Sequence, residues 1–289
     1  MQKKSIYKEE LINLIESNRK KDLHIHTCFS DGELTPQQVV DRWAKEDYEV
    51  ISVTDHDGIR GSEIAVDYAS DKEIICIPGI EFDSVDSLAK DMHILGYGID
   101  FNNKQLRKEL RTVREWRDRR NRKLLKVLQA LGYDIDWEDV IANSNGEYIG
   151  KPMFAMALFY KRYVKKPVDA FPEIFRKYEE IRSIKKEVLS SERVIEIIHN
   201  AGGLAVMAHP IEQRKINEGF AEFNQRLNIV LNKFLEYEID GIECYHPSAS
   251  KKQSEMLRKF AEENGLIVTR GSDFHVDNLN RNFSRYHTE

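Results

Sequence analysis

The 289-residue chain has few cysteines, and their pattern does not fit a disulfide framework. There are three, at Cys28, Cys76 and Cys244, and no two of them have CxxC spacing. An odd, scattered set of this kind is typical of the reduced thiols of intracellular proteins.

The sequence also lacks an apolar run long enough to span a membrane. Its first residues, MQKKSIYKEELINLIESN, mix charged residues among the apolar ones and therefore lack the apolar region of a signal peptide. We expect a soluble, cytoplasmic protein that does not bind membranes.

An excess of positive charge is absent as well. The formal net charge of -5 gives no general reason to expect nucleic-acid binding, although local basic patches still attract anions. Neither glycine nor proline is in excess, and 41% hydrophobic residues are typical of an ordinary globular protein. The length allows one large α/β domain or two small ones.

What the chain does contain is an alternation of short, β-branched apolar runs with helical patterns, which is typical of a mostly parallel sheet. Seven runs have this character: DLHIHT (22–27), EVISVTD (49–55), EIICIPGIEF (73–82), MHILGYGI (92–99), LAVMAHP (204–210), GIECYHP (241–247) and LIVTRGSDFH (266–275). Thr35, Pro36 and Gln38 have the pattern of a capping box at the start of one helix. The sequence therefore predicts an α/β fold with seven strands.

The alternation is interrupted between about residues 101 and 190, where the pattern is helical throughout. The segment opens with NNKQLRKELRTVREWRDRRNRKLLKVLQALG, whose leucines and valines form a broken apolar stripe at helical spacing. We interpret residues 101–190 as a helical insertion after the fourth strand that packs as a cap over one end of a barrel. Residues 1–100 and 191–289 would form the barrel itself.

Histidines are concentrated at the ends of the predicted strands. Of nine, six lie at or just beyond predicted C-terminal ends: His24, His26, His56, His93, His209 and His275. In a parallel barrel these ends converge on one face, where barrel enzymes place their active sites. Residues two apart on a strand point to the same side, as do the histidines of an HxH motif. Three carboxylates fall at matching places, namely Asp31, Glu81 and Asp273.

This set of side chains indicates a site for several metals. Imidazole and carboxylate without thiolate suit Zn, Mn or Fe bound for hydrolysis. A single metal needs only about three or four protein ligands, so six histidines and three acids imply two to three divalent transition metals. Adjacent metals can activate water on one side and stabilise a leaving oxygen on the other, the usual arrangement for cleaving phosphate esters. A lone strand-end histidine is usually structural, but that explanation does not fit six of them together with matching acids.

The ordered motifs resemble those of the polymerase and histidinol phosphatase (PHP) superfamily of metal-dependent phosphoesterases. They are HIHTCFSDG (24–32), TDHD (54–57), PGIEF (78–82), the His93 strand, AHP (208–210), GIECYHP (241–247) and GSDFH (271–275). Single-domain members with a helical insertion after strand four are similar, and they include nucleoside phosphate phosphatases and small 5′-to-3′ exoribonucleases. The resemblance implies a distorted (β/α)7 barrel, in agreement with the seven predicted strands.

The resemblance also implies three metal sites. The first would be formed by His24, His26, Glu81 and Asp273, the second by Glu81, His93 and His275, and the third by Asp31, His56 and His209. A metal-bound hydroxide would then attack phosphorus, and no covalent enzyme intermediate would be required.

Two further residues, Lys151 and His246, are candidate substrate contacts. Relatives often carry Gly-Arg-Pro-His within the insertion, where this chain has Gly-Lys-Pro-Met at 150–153. Lys151 can still bind phosphate as a point charge but lacks the bidentate fork of arginine. His246 follows the sixth strand and is placed to line the site, whereas His199, on a predicted helix, is interpreted as structural.

A basic run between Lys104 and Lys126 contains eleven lysines or arginines. It is either a solvated helix face or a basic lid that attracts a polyanionic substrate to the metal site. In the second case, the basic run and Lys151 would favour a nucleoside 3′,5′-bisphosphate or a short 5′-phosphorylated oligonucleotide over a monophosphate. Reversing Arg117, Arg120 and Lys123 to Glu should erase that preference.

The sequence therefore predicts a metal-dependent phosphoesterase that acts on small nucleotide-like phosphates or on short RNA or DNA. A histidinol-phosphate phosphatase would share the metal set, and the helical insertion favours the nucleotide substrates over that alternative. A non-catalytic metal-binding scaffold, known from related polymerase domains, has sometimes lost ligands, whereas every ligand position is filled here. A deaminase or amidohydrolase also places HxH on a barrel strand but typically lacks the SDG, AHP and SDFH motifs.

Overall fold

A computed structural model describes residues 2–276 of the chain except 90, 143, 145–147 and 216. Local sequence signals set the helix ends, as the predicted capping box shows. The backbone N–H of Gln38 donates to Thr35 Oγ1 (3.2 Å), and that of Thr35 donates to Gln38 Oε1 (2.9 Å). The helix that starts there buries Val39, Val40 and Trp43 against the sheet side of the molecule.

Helices and strands alternate along most of the described chain. The strands are β1 (Lys21–Ile25), β2 (Val50–Val53), β3 (Ile75–Val85), β4 (Met92–Tyr97), β5 (Leu189–Ser190), β6 (Leu204–Met207), β7 (Gly241–Tyr245) and β8 (Ile267–Arg270). The helices are α1 (Gln2–Glu16), α2 (Pro36–Lys45), α3 (Arg60–Ala69), α4 (Lys104–Ala130), α5 (Trp137–Ile141), α6 (Lys151–Tyr160), α7 (Glu179–Arg182), α8 (Ser191–Asn200), α9 (Phe220–Glu236) and α10 (Lys251–Glu263). Among the described residues, no helix has the length and apolar character needed to cross a membrane.

Seven strands form a nearly closed, barrel-like sheet surrounded by helices, which confirms the predicted fold class. Their order is β1-β2-β3-β4-β6-β7-β8, and the two-residue β5 pairs with the end of β3. A parallel bridge between Ile25 and Phe274 joins the two edges of the sheet. All seven predicted strands are present in the ring.

β4 differs from the other strands of the ring because it runs antiparallel to both of its neighbours. The connection from Val85 to Met92 is too short for the crossover of about a dozen or more residues that a parallel pair needs, so the chain turns straight back. His93 therefore lies near the N-terminal end of its strand, not at the C-terminal end as predicted. The reversal still brings it to the same end of the barrel, since an antiparallel strand starts where its neighbours finish.

The segment between β4 and β5 is helical and has its own apolar core, which includes Leu124, Phe154 and Phe171. α4 has 27 residues and a length of about 40 Å. It packs against both the barrel and the helical segment that follows it. Leu106 and Val113, in its first half, pack into the barrel core, whereas Leu124 belongs to the core of the segment that follows. The division of the chain into a barrel and an insertion, at residues 101 and 190, stays a prediction. α4 contributes side chains to the apolar cores of both parts.

Candidate metal centre

One end of the barrel collects the predicted ligands. His24 is in β1 and His26 follows it, and a β-bridge pairs His56, after β2, with Glu81 in β3. Two residues that follow strands, His209 and Asp273, have positive φ values of 25° and 49°. Such backbone conformations cost about 1–3 kcal/mol outside glycine and cluster at functional sites.

Glu81 lies at the middle of the cluster. Its carboxylate is fully buried and has five imidazole nitrogens within 3.4 Å. They are His93 Nδ1 (3.0 Å), His56 Nδ1 (3.1 Å), His209 Nε2 (3.1 Å), His26 Nε2 (3.3 Å) and His24 Nε2 (3.4 Å). Both carboxylate oxygens take part, so this residue can bridge two cations.

Asp273 and Asp31 extend the cluster on either side. Asp273 Oδ1 lies 3.2 Å from His26 Nε2 and 3.3 Å from His24 Nε2. Asp31 Oδ1 lies 3.2 Å from His275 Nε2 and 3.7 Å from His26 Nδ1. The structure thus brings all nine predicted ligands together at one end of the barrel, and their role as ligands stays a prediction.

Four groups of donor atoms within this cluster are compact enough to hold a metal ion, each with its donors within 4.8 Å of one another. They are His26, Asp31, His56 and His275; His24, His26 and Glu81; His56, Asp83 and His93; and Glu81, His93 and His209. The grouping differs from the one implied by the resemblance, because His209 and His275 exchange places. The strand order explains the exchange: β6, which leads to His209, pairs with the strand of His93, whereas the chain after β8 lies beside β1 and its Asp31 loop.

The donor chemistry fits divalent metals. Five buried polar atoms of the cluster have no hydrogen-bond partner among the described residues. They are His24 Nε2, His26 Nε2, Glu81 Oε2, His209 Nδ1 and His246 Nε2. A buried polar group left without a partner costs about 1–3 kcal/mol, so several in one place need an explanation. Imidazole and carboxylate donors are the ligands that Zn, Mn and Fe accept.

Asp83 is a candidate ligand that was missed in the sequence. Its Oδ1 lies 3.0 Å from His93 Nε2 and 3.8 Å from His56 Nδ1, while its Oδ2 pairs with Lys186 Nζ at 2.6 Å. The signal was available, because Asp83 is two residues after Glu81 and residues two apart on a strand share a face.

Glu243, in β7, was also missed, and it holds two of the histidines in place. Its fully buried carboxylate accepts a hydrogen bond from His24 Nδ1 (3.0 Å) and another from the backbone N–H of His209 (2.8 Å). Since a carboxylate only accepts, Nδ1 of His24 carries the proton and Nε2 is left to face the cluster. Such a carboxylate contact fixes the orientation of a metal-binding histidine and raises its basicity.

Asp55 lies behind the cluster and holds one of its loops. It accepts hydrogen bonds from Thr27 N, Thr27 Oγ1 and Ser30 Oγ, each at 2.7 Å. These contacts fix the loop that carries Asp31.

The electrostatics of the cluster favour bound positive charge. Burial would lower the pKa of His24, but Glu243, Glu81 and Asp273 outweigh it and hold that pKa well above its usual value. Burial would raise the pKa of Glu81, yet the surrounding histidines, first His56 and then His24, hold it well below. Protons on histidines such as His24 thus offset the negative charge of the acids when no metal is bound, and metal binding would displace those protons.

His246 and Lys151, the predicted substrate contacts, lie in different surroundings. His246 is buried in the cluster, with Nε2 3.3 Å from Asp273 Oδ2 and its ring 5.3 Å from that of His209. Lys151 begins α6, where partial burial, followed by the charges of Arg120 and Lys186, lowers its pKa. Met153 is buried, and its Sδ accepts from the N–H of Gly150 at 3.5 Å.

The remaining sequence predictions divide between structural and exposed positions. His199 donates to Asp240 Oδ2 (2.7 Å) away from the cluster, in agreement with a structural role. Arg117 is buried in an ion pair with Asp57 and stacks on Tyr148 at 4.3 Å, so it is not part of a solvated face. The Nε of Arg120 is also buried, and of the three residues chosen from the basic run only Lys123 is exposed.

Comparison with known proteins agrees with this geometry. A 5′-3′ exoribonuclease of Haemophilus influenzae is 28% identical over 268 residues, covering 89% of this chain and 90% of that protein. A 3′,5′-nucleoside bisphosphate phosphatase of Chromobacterium violaceum is 30% identical over 267 residues, covering 88% and 87%. A crystal structure of a Bifidobacterium adolescentis protein, described as a metal-dependent phosphoesterase, matches with a TM-score of 0.77 at 28% identity over 90% of this chain and 88% of that one.

The PHP domain family model matches residues 22–269, from the strand that carries His24 to the last strand of the barrel. This range includes seven of the nine predicted ligands, and the other two, Asp273 and His275, lie shortly after it. The chain therefore belongs to the PHP domain family and is a metal-dependent phosphoesterase.

Proposed function

We propose that this phosphoesterase hydrolyses phosphate esters of nucleotides, either nucleoside bisphosphates or short oligonucleotides, with two to three divalent metals held at the barrel end. The observation that carries the proposal is the set of four overlapping donor groups around Glu81, with buried polar atoms that lack other partners. The names of the two relatives, a bisphosphate phosphatase and an exoribonuclease, support the choice of nucleotides.

Some residues of the cluster would bind the metals, and others would hold those ligands in position. Glu81, with His24 and His26 on one side and His93 and His209 on the other, would hold two cations, and the Asp31 group with His275 a further one. Divalent metals bound there would activate water and polarise the phosphoryl oxygens. Glu243 and Asp55 keep the imidazoles and the Asp31 loop in position through the hydrogen bonds described above.

Three cations from the helical segment, Lys151, Lys186 and Arg120, would hold the phosphate. Lys186 reaches the centre through its ion pair with Asp83. Burial first, and then the nearby charges of Arg120 and Lys186, lower the pKa of Lys151. Arg120 Nε is buried with no hydrogen-bond partner among the described residues. Cations crowded together in this way repel one another until an anion binds, so a phosphoryl group would relieve the repulsion.

Phosphate release tests the proposal. Protein stripped with a chelator and reconstituted with Mn²⁺ is assayed on a nucleoside 3′,5′-bisphosphate, a 5′-phosphorylated trinucleotide and histidinol phosphate. We expect metal-dependent turnover of at least one nucleotide, faster than that of histidinol phosphate. Folded, metal-loaded protein that releases no phosphate would contradict the phosphoesterase assignment, and faster turnover of histidinol phosphate would contradict the substrate class.

A lysine pair tests the phosphate contact separately. Lys151→Met should raise KM by about tenfold to a hundredfold, as expected for loss of a hydrogen bond to a charged group. The matched control is Lys165→Met, which alters an exposed lysine of the same segment. Equal KM values for the two variants would remove Lys151 from the phosphate site.

A further inference from the structure

β1 and β8, the two edges of the sheet, meet at a seam. The bridge between Ile25 and Phe274 joins them, and earlier in β1 the side chain of Asp22 accepts a hydrogen bond from the backbone N–H of Ser272 (2.9 Å). A cavity lies at this seam, lined by the start of β1, the end of β7, the first turn of α10 and the residues after β8. Its volume is about 630 Å³, within the range of about 300–1,000 Å³ that small-molecule sites occupy. We call it the seam cavity.

The lining of the seam cavity carries more positive than negative charge. Its cations are Lys21, Lys251 and Arg270, and its acids are Asp22 and Glu255. Lys251 and Arg270 are exposed, and neither has an acid within ion-pair distance in the part of the chain that the structure describes. Burial lowers the pKa of Lys21, and the nearby charge of Arg270 lowers it further. Cations that repel one another in this way favour the binding of an anion between them.

Neither acid of the seam cavity is free to neutralise these cations. Asp22 is buried, and its second oxygen accepts a hydrogen bond from Trp43 Nε1 (2.8 Å). The two oxygens of Glu255 lie 3.1 Å and 2.5 Å from the guanidinium nitrogens of Arg258. The positive charge of Lys251 and Arg270 is therefore left for a ligand.

Two tyrosines add aromatic surface to the seam cavity. Tyr48, before β2, and Tyr245, at the end of β7, are both half-buried in its lining. The guanidinium of Arg270 lies 4.8 Å from the centre of the Tyr245 ring, so a cation and an aromatic surface adjoin. Aromatic side chains offer contact area to planar rings, and a guanidinium matches the geometry of a phosphate. The lining therefore suits a ligand that has both a planar ring and a phosphate.

We infer that the seam cavity is a second ligand site, which binds the phosphate group of a small organic phosphate with a planar ring through Lys251 and Arg270. The site is separate from the metal centre but backs onto it, since Gly271 and His246 line the cavity on the side of the cluster. A Cβ at Gly271 would lie 2.1 Å from the Cβ of His24, so this wall packs directly against a predicted metal ligand. The inference goes beyond the proposed function, because binding here requires neither metal nor hydrolysis.

Calorimetric titration with the phosphonate analogue of AMP tests the inference. This analogue cannot be hydrolysed, because carbon replaces the bridging oxygen. The variant Lys251→Gln/Arg270→Gln removes two charges from the seam cavity. Its matched control, Lys252→Gln/Lys259→Gln, removes two charges from exposed positions of α10 that do not line the cavity. Each protein is titrated metal-loaded and again after chelation, and its metal content shows whether the metal centre is unchanged.

We expect the parent to bind the analogue at a site that survives chelation. The seam variant should weaken this site by about tenfold to a hundredfold, as loss of charge-assisted contacts to phosphate implies, and the control should keep the parental affinity. Equal affinities of the seam variant and the control would overturn the inference, as would binding by the parent that disappears with the metals. None of these results depends on turnover. Protein that releases no phosphate from any ester would contradict the proposed function and leave the seam site standing.

Adenosine and inorganic phosphate, titrated alone, separate the two parts of the ligand. Adenosine should bind far more weakly than the analogue, because it offers no charge to Lys251 and Arg270. Inorganic phosphate should also bind more weakly, because it makes no contact with Tyr48 or Tyr245. Adenosine that binds as tightly as the analogue would overturn the phosphate contact, and inorganic phosphate that does so would overturn the role of the tyrosines.

Discussion

At the scale of single residues, Glu81 is the side chain on which the metal centre depends most. Its two carboxylate oxygens face imidazoles from β1, β4 and the loops after β1, β2 and β6. A neutral amide would keep the shape of the side chain but could not offset the charge of two cations. The amide nitrogen would also carry N–H groups at a position where a carboxylate oxygen offers lone pairs to a metal.

Glu81→Gln should therefore lose at least one metal ion and reduce kcat by about 10³-fold or more, the order of magnitude expected when metal-ion catalysis is lost. Metal content is measured by elemental analysis and turnover by phosphate release. Glu218→Gln serves as the control, because Glu218 is buried in an ion pair with Arg226 and contacts none of the cluster. Near-parental turnover by a folded Glu81→Gln protein would remove Glu81 from the cluster.

Glu243 allows a second prediction at this scale, because both of its partners are donors. Glutamine at this position has one acceptor oxygen for two donors, so either His24 Nδ1 or the N–H of His209 would be left without a partner. We predict that Glu243→Gln weakens metal binding by about 10- to 100-fold. Competition with a chromophoric chelator measures the change, with Glu218→Gln again as control. Metal affinity equal to that of the parent would show that Glu243 has only a structural role.

At the scale of secondary-structure elements, a histidine's position relative to the strand ends determines whether it lies in the cluster. His209 follows β6 at the cluster end, whereas His199 lies on α8 and donates to Asp240, which also pairs with Lys8. Two histidines only ten positions apart in sequence are thus brought into different surroundings by the strand between them.

His209→Ala should lower turnover strongly with limited loss of stability. His199→Ala should instead lower the free energy of unfolding by about 1–3 kcal/mol, since Asp240 loses a donor, and should leave turnover near that of the parent. Phosphate release and thermal unfolding of both variants separate the two effects. Equal effects on turnover would contradict the assignment of roles by strand ends.

The ion pair between Arg117 of α4 and Asp57 after β2 is the second test at this scale. Asp57 also accepts a hydrogen bond from the N–H of Asp83 (3.1 Å), so the pair ties α4 to two strand ends. Arg117→Met should lower the free energy of unfolding by about 3–5 kcal/mol, because it leaves a buried carboxylate without its counter-charge.

The double variant Arg117→Met/Asp57→Asn should recover part of that loss in thermal unfolding. Arg119→Met is the control on the same helix, since Arg119 and Glu187 are both more than half exposed, and such a pair contributes about 0–1 kcal/mol. If the two Arg→Met variants lose the same stability, the ion pair does not couple α4 to the barrel.

At the scale of the whole molecule, the strands and the nine clustered side chains could be predicted because they depend on local patterns. Apolar runs mark the strands, and alternate residues on a strand share a face, which placed His24 with His26 correctly. What could not be predicted depends on strand order or on distant contacts. Glu243 and His24 are 219 positions apart, and the exchange of His209 with His275 follows from which strands are neighbours.

The reversed direction of β4 is an intermediate case. The short connection before Met92 already favoured an antiparallel return, but the alternation of strands and helices along the rest of the chain favoured a mostly parallel sheet. Burial of Arg117 was not visible in the sequence at all. A basic run gives no sign of which of its members faces an acid on another element.

The central claim, a centre for several metals that hydrolyses phosphate esters, is tested most directly by metal content together with activity. Protein purified without chelator is analysed for transition metals, and the same sample is assayed for phosphate release before and after chelation. We predict about two to three ions per chain, as the number of ligands requires, with activity that is lost on chelation and restored by Mn²⁺. At most one ion per chain, even after reconstitution with Mn²⁺ or Zn²⁺, would contradict the account.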